Sequence, residues 1–327
     1  MMRRLFIVLA AAMILLSACA PGGGEASTSA PTTSSAGAEQ SAQGTCTFTD
    51  SLGNTVELEQ PPKRVAALLG SYAETWLLAG GEVVAVTQDA YDERGLELPE
   101  DTVNLGANQQ PDLEALFAAE PDLVLLTPDL DGQMGLRDSL EAAGIPAAWF
   151  KVETFDDYLN MLKICTDLTG RSDLYQKNGL DIQSEIDAAI ASVPEGEAPT
   201  VLLLRAYSSG VRAKNSDNIA GAILKDLGAA NIADSDGGLL EDLQMESILA
   251  ADPEFIFVTT MGASQEAALE SLDELLHSDP AWQTLTAVKE DRVEVLPKDL
   301  FHYKPNARWG ESYQMLAELM YGSGETA

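Results

Sequence analysis

Only 19 of 327 residues are lysine or arginine, against 52 aspartates and glutamates. Yet six of those cations crowd two stretches of the second half. Arg205, Arg212 and Lys214 occupy one; Lys298, Lys304 and Arg308 occupy the other, interleaved with Tyr207, Phe301, His302, Tyr303 and Trp309. Cations beside aromatic faces suit a large anionic ligand, conjugated or metal-chelating. Arginine is favoured there because its planar fork meets carboxylate or catecholate oxygens with two parallel bonds. The same cations also have a plainer use, in surface ion pairs worth under ~1 kcal/mol each. Their grouping in so acidic a chain argues for a binding site.

Other chemistries find little support. His277 and His302 are the only histidines, so a zinc or manganese site built from several imidazoles is excluded. His302 or Tyr303 could ligate a heme iron, with Tyr72 or Met261 opposite. His277, beside Asp279-Pro280, reads as a partner of a helix C-terminal dipole. No nucleophile elbow, HExxH or Gly-x4-Gly-Lys-Ser/Thr occurs, which leaves a two-lobed metal-cofactor enzyme as the weaker reading and predicts no ATP site on this chain. The net charge of −33 repels phosphate backbones and anionic lipid surfaces, so no nucleic acid is expected as a partner.

A scaffold for these residues is legible. Residues 65–69, 83–87, 123–127 and 147–150 read as strands, with helices over 72–79, 112–119 and 132–143. The same grammar restarts with strands at 201–205, 255–259 and 293–296 and helices at 217–227, 244–251, 266–276 and 308–321. Such alternation predicts parallel α/β architecture. The intervening residues carry no strand signal and suggest one helix ending near Gly170, then a longer one capped by Ser172 and stopped by Pro194. The expectation is an α/β fold: two α/β lobes with mostly parallel sheets, joined by a single long bridging helix. The first lobe is placed at 45–154, the helical segment at 155–194 and the second lobe at 195–327. Open α/β sheets bind ligands at the carboxyl ends of their strands. That selects loops 70–72, 127–134 and 151–153 in the first lobe, and 205–215, 259–262 and 298–308 in the second.

An internal repeat ties the halves together. Leu113-Glu114-Ala115-Leu116-Phe117-Ala118-Ala119-Glu120-Pro121-Asp122-Leu123 aligns without gaps to Met245-Glu246-Ser247-Ile248-Leu249-Ala250-Ala251-Asp252-Pro253-Glu254-Phe255. Each copy reads as a short helix, an acidic-Pro break and a buried parallel strand. Glu114 and Glu246 thereby take equivalent places at helix starts, where the macrodipole favours a carboxylate by ~0.3–1 kcal/mol.

The amino terminus reads as an address. Arg3 and Arg4 precede an apolar run from Leu5 to Leu16, the layout of a secretory signal over 1–18 and too short to span a bilayer, which takes ~20 apolar residues. The junction Leu16-Ser17-Ala18-Cys19 resembles the lipobox of bacterial lipoproteins, in which the cysteine is acylated and opens the mature chain. Residues 19–44 then form a linker of Gly, Ser, Thr, Ala, Pro and Gln, a flexible tether reaching roughly 25–30 Å. In an exported protein Cys46 and Cys165 remain as an even pair, either bridged or present as two separate thiols.

Taken together, the chain resembles the lipid-anchored substrate-binding proteins of ABC importers for ferric siderophores, heme and vitamin B12. The matching residues are Phe48-Thr49-Asp50-Ser51-Leu52-Gly53-Asn54, Pro61-Pro62-Lys63-Arg64-Val65, the two Glu-x3-Ala-Ala-x-Pro units, Trp282 and Arg292-Val293-Glu294-Val295. The resemblance implies a ligand held between the lobes with little hinge motion, and no resident cofactor. It also implies a permease dimer with its ATPase as partner, met by Glu114 and Glu246. The expected location is the extracytoplasmic face of the cell membrane, with lipid on Cys19 as the sole membrane contact. Tyr72, Arg205, Tyr207, Arg212, Lys214, Tyr303, Lys304, Arg308 and Trp309 are the expected ligand contacts. The expected ligand is an iron complex, a ferric siderophore first, with heme or cobalamin as alternatives.

Overall fold

The computed structural model describes residues 39–40, 44–196, 198–262 and 264–322. The expected signal segment, Cys19 and most of the linker lie outside these residues. The described end of the linker is not free: Glu39–Gln40 pairs antiparallel with Cys46 and Thr47, because an edge strand offers unpaired amides and carbonyls.

An antiparallel hairpin opens the body, β1 (Cys46–Thr49) and β2 (Thr55–Leu58). Its alternation of buried and exposed residues spans only four residues per strand, too short to stand out in the sequence.

The first lobe then builds a fully parallel sheet from β3 (Val65–Ala67), β4 (Val83–Val86), β5 (Val103–Asn104), β6 (Leu123–Leu126) and β7 (Ala147–Trp149), in the order β5-β4-β3-β6-β7. Helix α1 (Gly70–Leu78) follows β3, and α2 (Leu113–Ala118) precedes β6. Neighbouring residues of one strand enter different cores: Val65 and Ala67 face one, Ala66 and Leu68 the other. Burial on both faces is why these strands read as continuous apolar runs.

Helix α3 (Phe155–Thr169) starts on a Thr154–Asp157 capping box and ends at Gly170 in the left-handed conformation. The bridging helix α4 follows as Ser172–Tyr175, a π-helical turn Gln176–Leu180, and Asp181–Ala191. Gly179 sits in that turn because a Cβ there would lie 2.8 Å from the Leu159 side chain of α3.

The second lobe contains β8 (Thr200–Tyr207), β9 (Gly210–Ala213), β10 (Ala230–Asn231), β11 (Phe255–Thr260) and β12 (Val293–Val295). The order is β9-β8-β11-β12, with β10 also on β8, and only β9 runs antiparallel. Helices α5 (Ile219–Asp226), α6 (Met245–Ala251), α7 (Gln265–Ser278) and α8 (Trp309–Tyr321) cover it. One core joins Val65, Leu123, Val201 and Phe257 to Tyr158, Ile186, Trp309 and Leu316. Both sheets therefore rest on the same helical layer. Among the described residues no helix is long and apolar enough to cross a membrane.

The repeat has one physical form in both copies. Leu123 pairs with Val65, and its counterpart Phe255 pairs with Val201. The acid before each proline, Glu120 or Asp252, has a positive φ of 46° or 40°, which ends the helix and turns the chain into the strand. The next acid ties each strand to its neighbour's start: Asp122 accepts from the amides of Lys63 and Arg64, and Glu254 from that of Thr200.

Candidate functional site

Loops at the carboxyl ends of both sheets line one cleft of about 430 Å³. The first lobe supplies Ser71 after β3, Asp89, Glu93 and Arg94 after β4, Asn108 and Gln109 after β5, Thr127 and Asp129 after β6, and Glu153 after β7. The second supplies Arg205 from β8, Asn218 before α5, Met261 after β11, and Phe301, His302, Tyr303 and Lys304 after β12.

The first wall is stitched from inside. Buried Gln133 donates to the carbonyls of Leu68 (2.5 Å) and Asn108 (3.0 Å) and accepts from the Thr127 amide (2.9 Å), so one amide fixes three loops. Asp89, also buried, accepts from the Gly70 amide at 2.7 Å and the Thr87 hydroxyl at 2.5 Å. Gly70 is required there, since a Cβ would lie 2.6 Å from the Ala90 nitrogen. The Glu93 carboxyl titrates higher than usual because of partial desolvation and of Asp89, opposed by Lys298, Arg94 and Tyr303.

The second wall is the cationic one. Arg205 donates from Nε to Thr259 Oγ1 at 3.2 Å and stands against Tyr207; partial burial weakens its proton affinity, but a guanidinium keeps its charge. Burial pushes the Lys304 ammonium down, against the pull of Asp129, Glu153 and Asp157. The Lys304 Nζ lies 5.9 Å from the centre of the Tyr72 ring. His302 is pushed down to about 4, first by burial and then by Arg205, Lys298 and Lys304. It is a neutral imidazole near pH 7.

Of the nine expected contacts, Arg205, Tyr303 and Lys304 line the cleft. Tyr72 does not: it is fully buried, and its hydroxyl donates to the Phe150 carbonyl at 2.5 Å. Trp309 is also inside, edge-on to Phe155 at 6.2 Å, because it opens α8 on the face that meets α3. Arg308 is exposed and held by Asp299 (2.5 Å) and Glu311 (2.7 Å), the surface pairing that an acidic chain invites. Tyr207 stands beside Arg205 without lining the cleft, and Arg212 lies one strand out, opposite Arg205 on β9. Lys214 lies just beyond β9, its amide bonded to the Leu203 carbonyl. The expected positive surface thus shrinks to two cations, faced by Asp89, Glu93, Asp129 and Glu153.

The loops after β4 and β5 were missed, and with them Asp89, Glu93, Arg94, Asn108 and Gln109. The strand at 83–87 was legible, and the rule that sites lie beyond strand ends already pointed to the residues following it. Among the described residues no group of three or more His, Cys, Asp or Glu side chains could hold a metal ion.

A polar cleft between the strand ends of two α/β lobes is the arrangement of a two-lobed binding protein. The family model described as periplasmic binding protein matches residues 65–300, and the chain belongs to that family. It is 27% identical over 256 residues to the Fe(3+) dicitrate-binding periplasmic protein FecB of Escherichia coli (strain K12), covering 76% of this chain and 80% of that one. Its fold is similar to that of the catecholate-siderophore binding protein VctP of Vibrio cholerae, with TM-score 0.67 and 16% identity over 84% of this chain and 99% of the other. It is similar also to the periplasmic heme binding protein HutB of Vibrio cholerae, with TM-score 0.64 and 22% identity over 79% of this chain and 98% of the other.

Proposed function

We propose that this chain is an extracytoplasmic substrate-binding lipoprotein that captures a ferric chelate in the cleft and delivers it to the permease dimer of an ABC importer with its ATPase. The observation that carries the reading is the second wall, which brings Arg205 and Lys304 to the cleft and adds no carboxylate of its own to the lining, in a chain of net charge −33. An anion approaching so negative a body needs such a local positive surface. The iron-citrate relative supports an iron chelate as cargo. The protein's role is capture without turnover.

Delivery requires a docking face, for which Glu114 and Glu246 are proposed. Both are exposed in the first turns of α2 and α6, and neither forms an ion pair among the described residues. Each is free to meet a permease arginine. The membrane is reached through lipid on Cys19. Cys46 and Cys165 are both free and buried, and burial pushes the Cys165 thiol up.

Intrinsic fluorescence quenching tests the cargo, with ferric citrate, a ferric catecholate, hemin and cobalamin. Saturable binding of a ferric chelate is expected; tight binding of cobalamin alone overturns the reading. A second reading, heme, rests on neutral His302 beside Tyr303, their ring centres 5.4 Å apart in the cleft. A Soret shift that His302→Ala abolishes would establish it. For the anchor, Cys19→Ala should release the protein or leave it unprocessed; unchanged membrane attachment and mature mass count against lipidation.

A further inference from the structure

Every charged side chain on the first wall is acidic except Arg94. It is only 8% exposed, and its Nη2 is paired with the Glu74 carboxylate. Its Nε is buried with no hydrogen-bond partner. A buried guanidinium N–H without an acceptor is unfavourable, and a guanidinium binds carboxylate-type oxygens through adjacent N–H groups. The protein supplies an acceptor on one side of this group and none at Nε, and the side chain borders the cleft.

Arg94 is also held in place from both lobes. Asn306, fully buried after β12, donates from Nδ2 to Glu74 Oε2 at 2.6 Å and to the Ser71 carbonyl at 2.9 Å. Its φ of +53° makes a turn between β12 and α8. The guanidinium is thus oriented before any ligand arrives, which lowers the ordering cost of binding. Asp89 is held by the Gly70 amide and the Thr87 hydroxyl, and like Glu93, Asp129 and Glu153 it repels an anion. An anionic group on this side of the cleft has one place to go.

We infer that Arg94 is a ligand-contacting residue, the first lobe's donor to an oxygen of the chelate and the counterpart of Arg205 and Lys304 across the cleft. The inference rests on reading the cleft as a chelate site, and it orients the cargo: its anionic oxygens lie along the line from Arg94 to Arg205, away from Asp129 and Glu153.

Calorimetric titration of the full chain with ferric citrate tests it, on wild type, Arg94→Gln, Arg94→Lys and Glu74→Gln/Arg94→Gln, with thermal unfolding measured alongside. The double variant removes both charges of the pair, so it reports on binding even if Arg94→Gln alone does not fold. The expected result is a loss of about ten- to a hundred-fold in affinity for Arg94→Gln and the double variant. A partial loss is expected for Arg94→Lys, which keeps the charge but not the fork. Arg171→Gln, which breaks only the surface pair with Asp173, should bind as wild type does. A double variant that binds within two-fold of wild type, whatever its stability, makes Arg94 a strut between lobes and overturns the inference. Wild type that binds none of ferric citrate, ferric catecholate and hemin overturns the functional reading itself.

Discussion

The two lobes share one construction and differ in what they show the cleft. Both pair the strand of the repeat with the lobe's first strand, and both break the preceding helix with an acid at positive φ. Yet the first wall presents Asp89, Glu93, Asp129 and Glu153 with a single guanidinium, and the second presents Arg205 and Lys304 with no acid. The repeated part sets backbone hydrogen bonds and an outer face that carries Glu114 and Glu246. The loops at the opposite strand ends bear no such constraint and diverge. Similarity between the lobes therefore speaks to architecture and, on the proposed function, to docking, whereas contrast between them speaks to cargo.

The largest expected effect breaks the similarity. Glu114→Arg/Glu246→Arg should abolish transport in cells, with ferric citrate affinity unchanged in vitro and each single change milder; normal transport by the double variant would return both carboxylates to the role of helix-start acids. Trp309→Ala should come next, costing ~3–5 kcal/mol in denaturant unfolding, because it empties a packed site under both lobes. A ligand-contact role would instead leave stability intact and lower affinity.

Arg205→Ala sharpens the contrast between walls. It should weaken ferric citrate binding by about 1.5–3 kcal/mol, or ten- to a hundred-fold by titration, while Arg308→Ala, already paired to Asp299 and Glu311, changes it less than about two-fold.

His302 gives the smallest effect and a defined sign. Its folded pKa of about 4 lies below the unfolded value of ~6.5, so the unfolded state takes up the proton first and acidification destabilises the fold. The penalty grows from pH ~6.5 down to ~4 and then levels. At pH 5 it amounts to about 1 kcal/mol after discounting for partial exposure, or ~2–4 °C. His302→Gln should therefore gain that much relative to wild type between pH 7.5 and pH 5 in thermal melts without ligand. An identical pH profile for both proteins would show that neither burial nor the neighbouring cations perturb the imidazole.

Much of this was legible because the signals are local. Strands 123–127 and 255–259 appeared as unbroken apolar runs since both their faces are buried, and Pro121 and Pro253 marked where each begins. The bridging helix was visible through its apolar spacing and Pro194, but Ser172 is its first helical residue and not its cap: Arg171 holds the cap position, with no side-chain hydrogen bond. The π turn at Gln176–Leu180 was not legible, because it depends on how closely α3 packs. Tyr303 and Lys304 stood out as an aromatic and a cation beyond a strand end. Arg94 also follows a legible strand, but nothing near it in sequence foretells Glu74 or Asn306, which hold it.

By itself, the sequence determined the α/β layering, the paired lobes with a helix between them, and the strand ends at which a ligand site lies. Periodicity and proline breaks encode those features within a few residues. Tertiary structure alone decided which cations face the cleft. Arg308 turns outward to two carboxylates, Trp309 sinks into the common core, and Arg94 is held by Glu74, which Asn306 in turn holds from the far end of the chain. A charge acts through where its neighbours lie in space, and those neighbours are 20 and 232 residues apart along the chain.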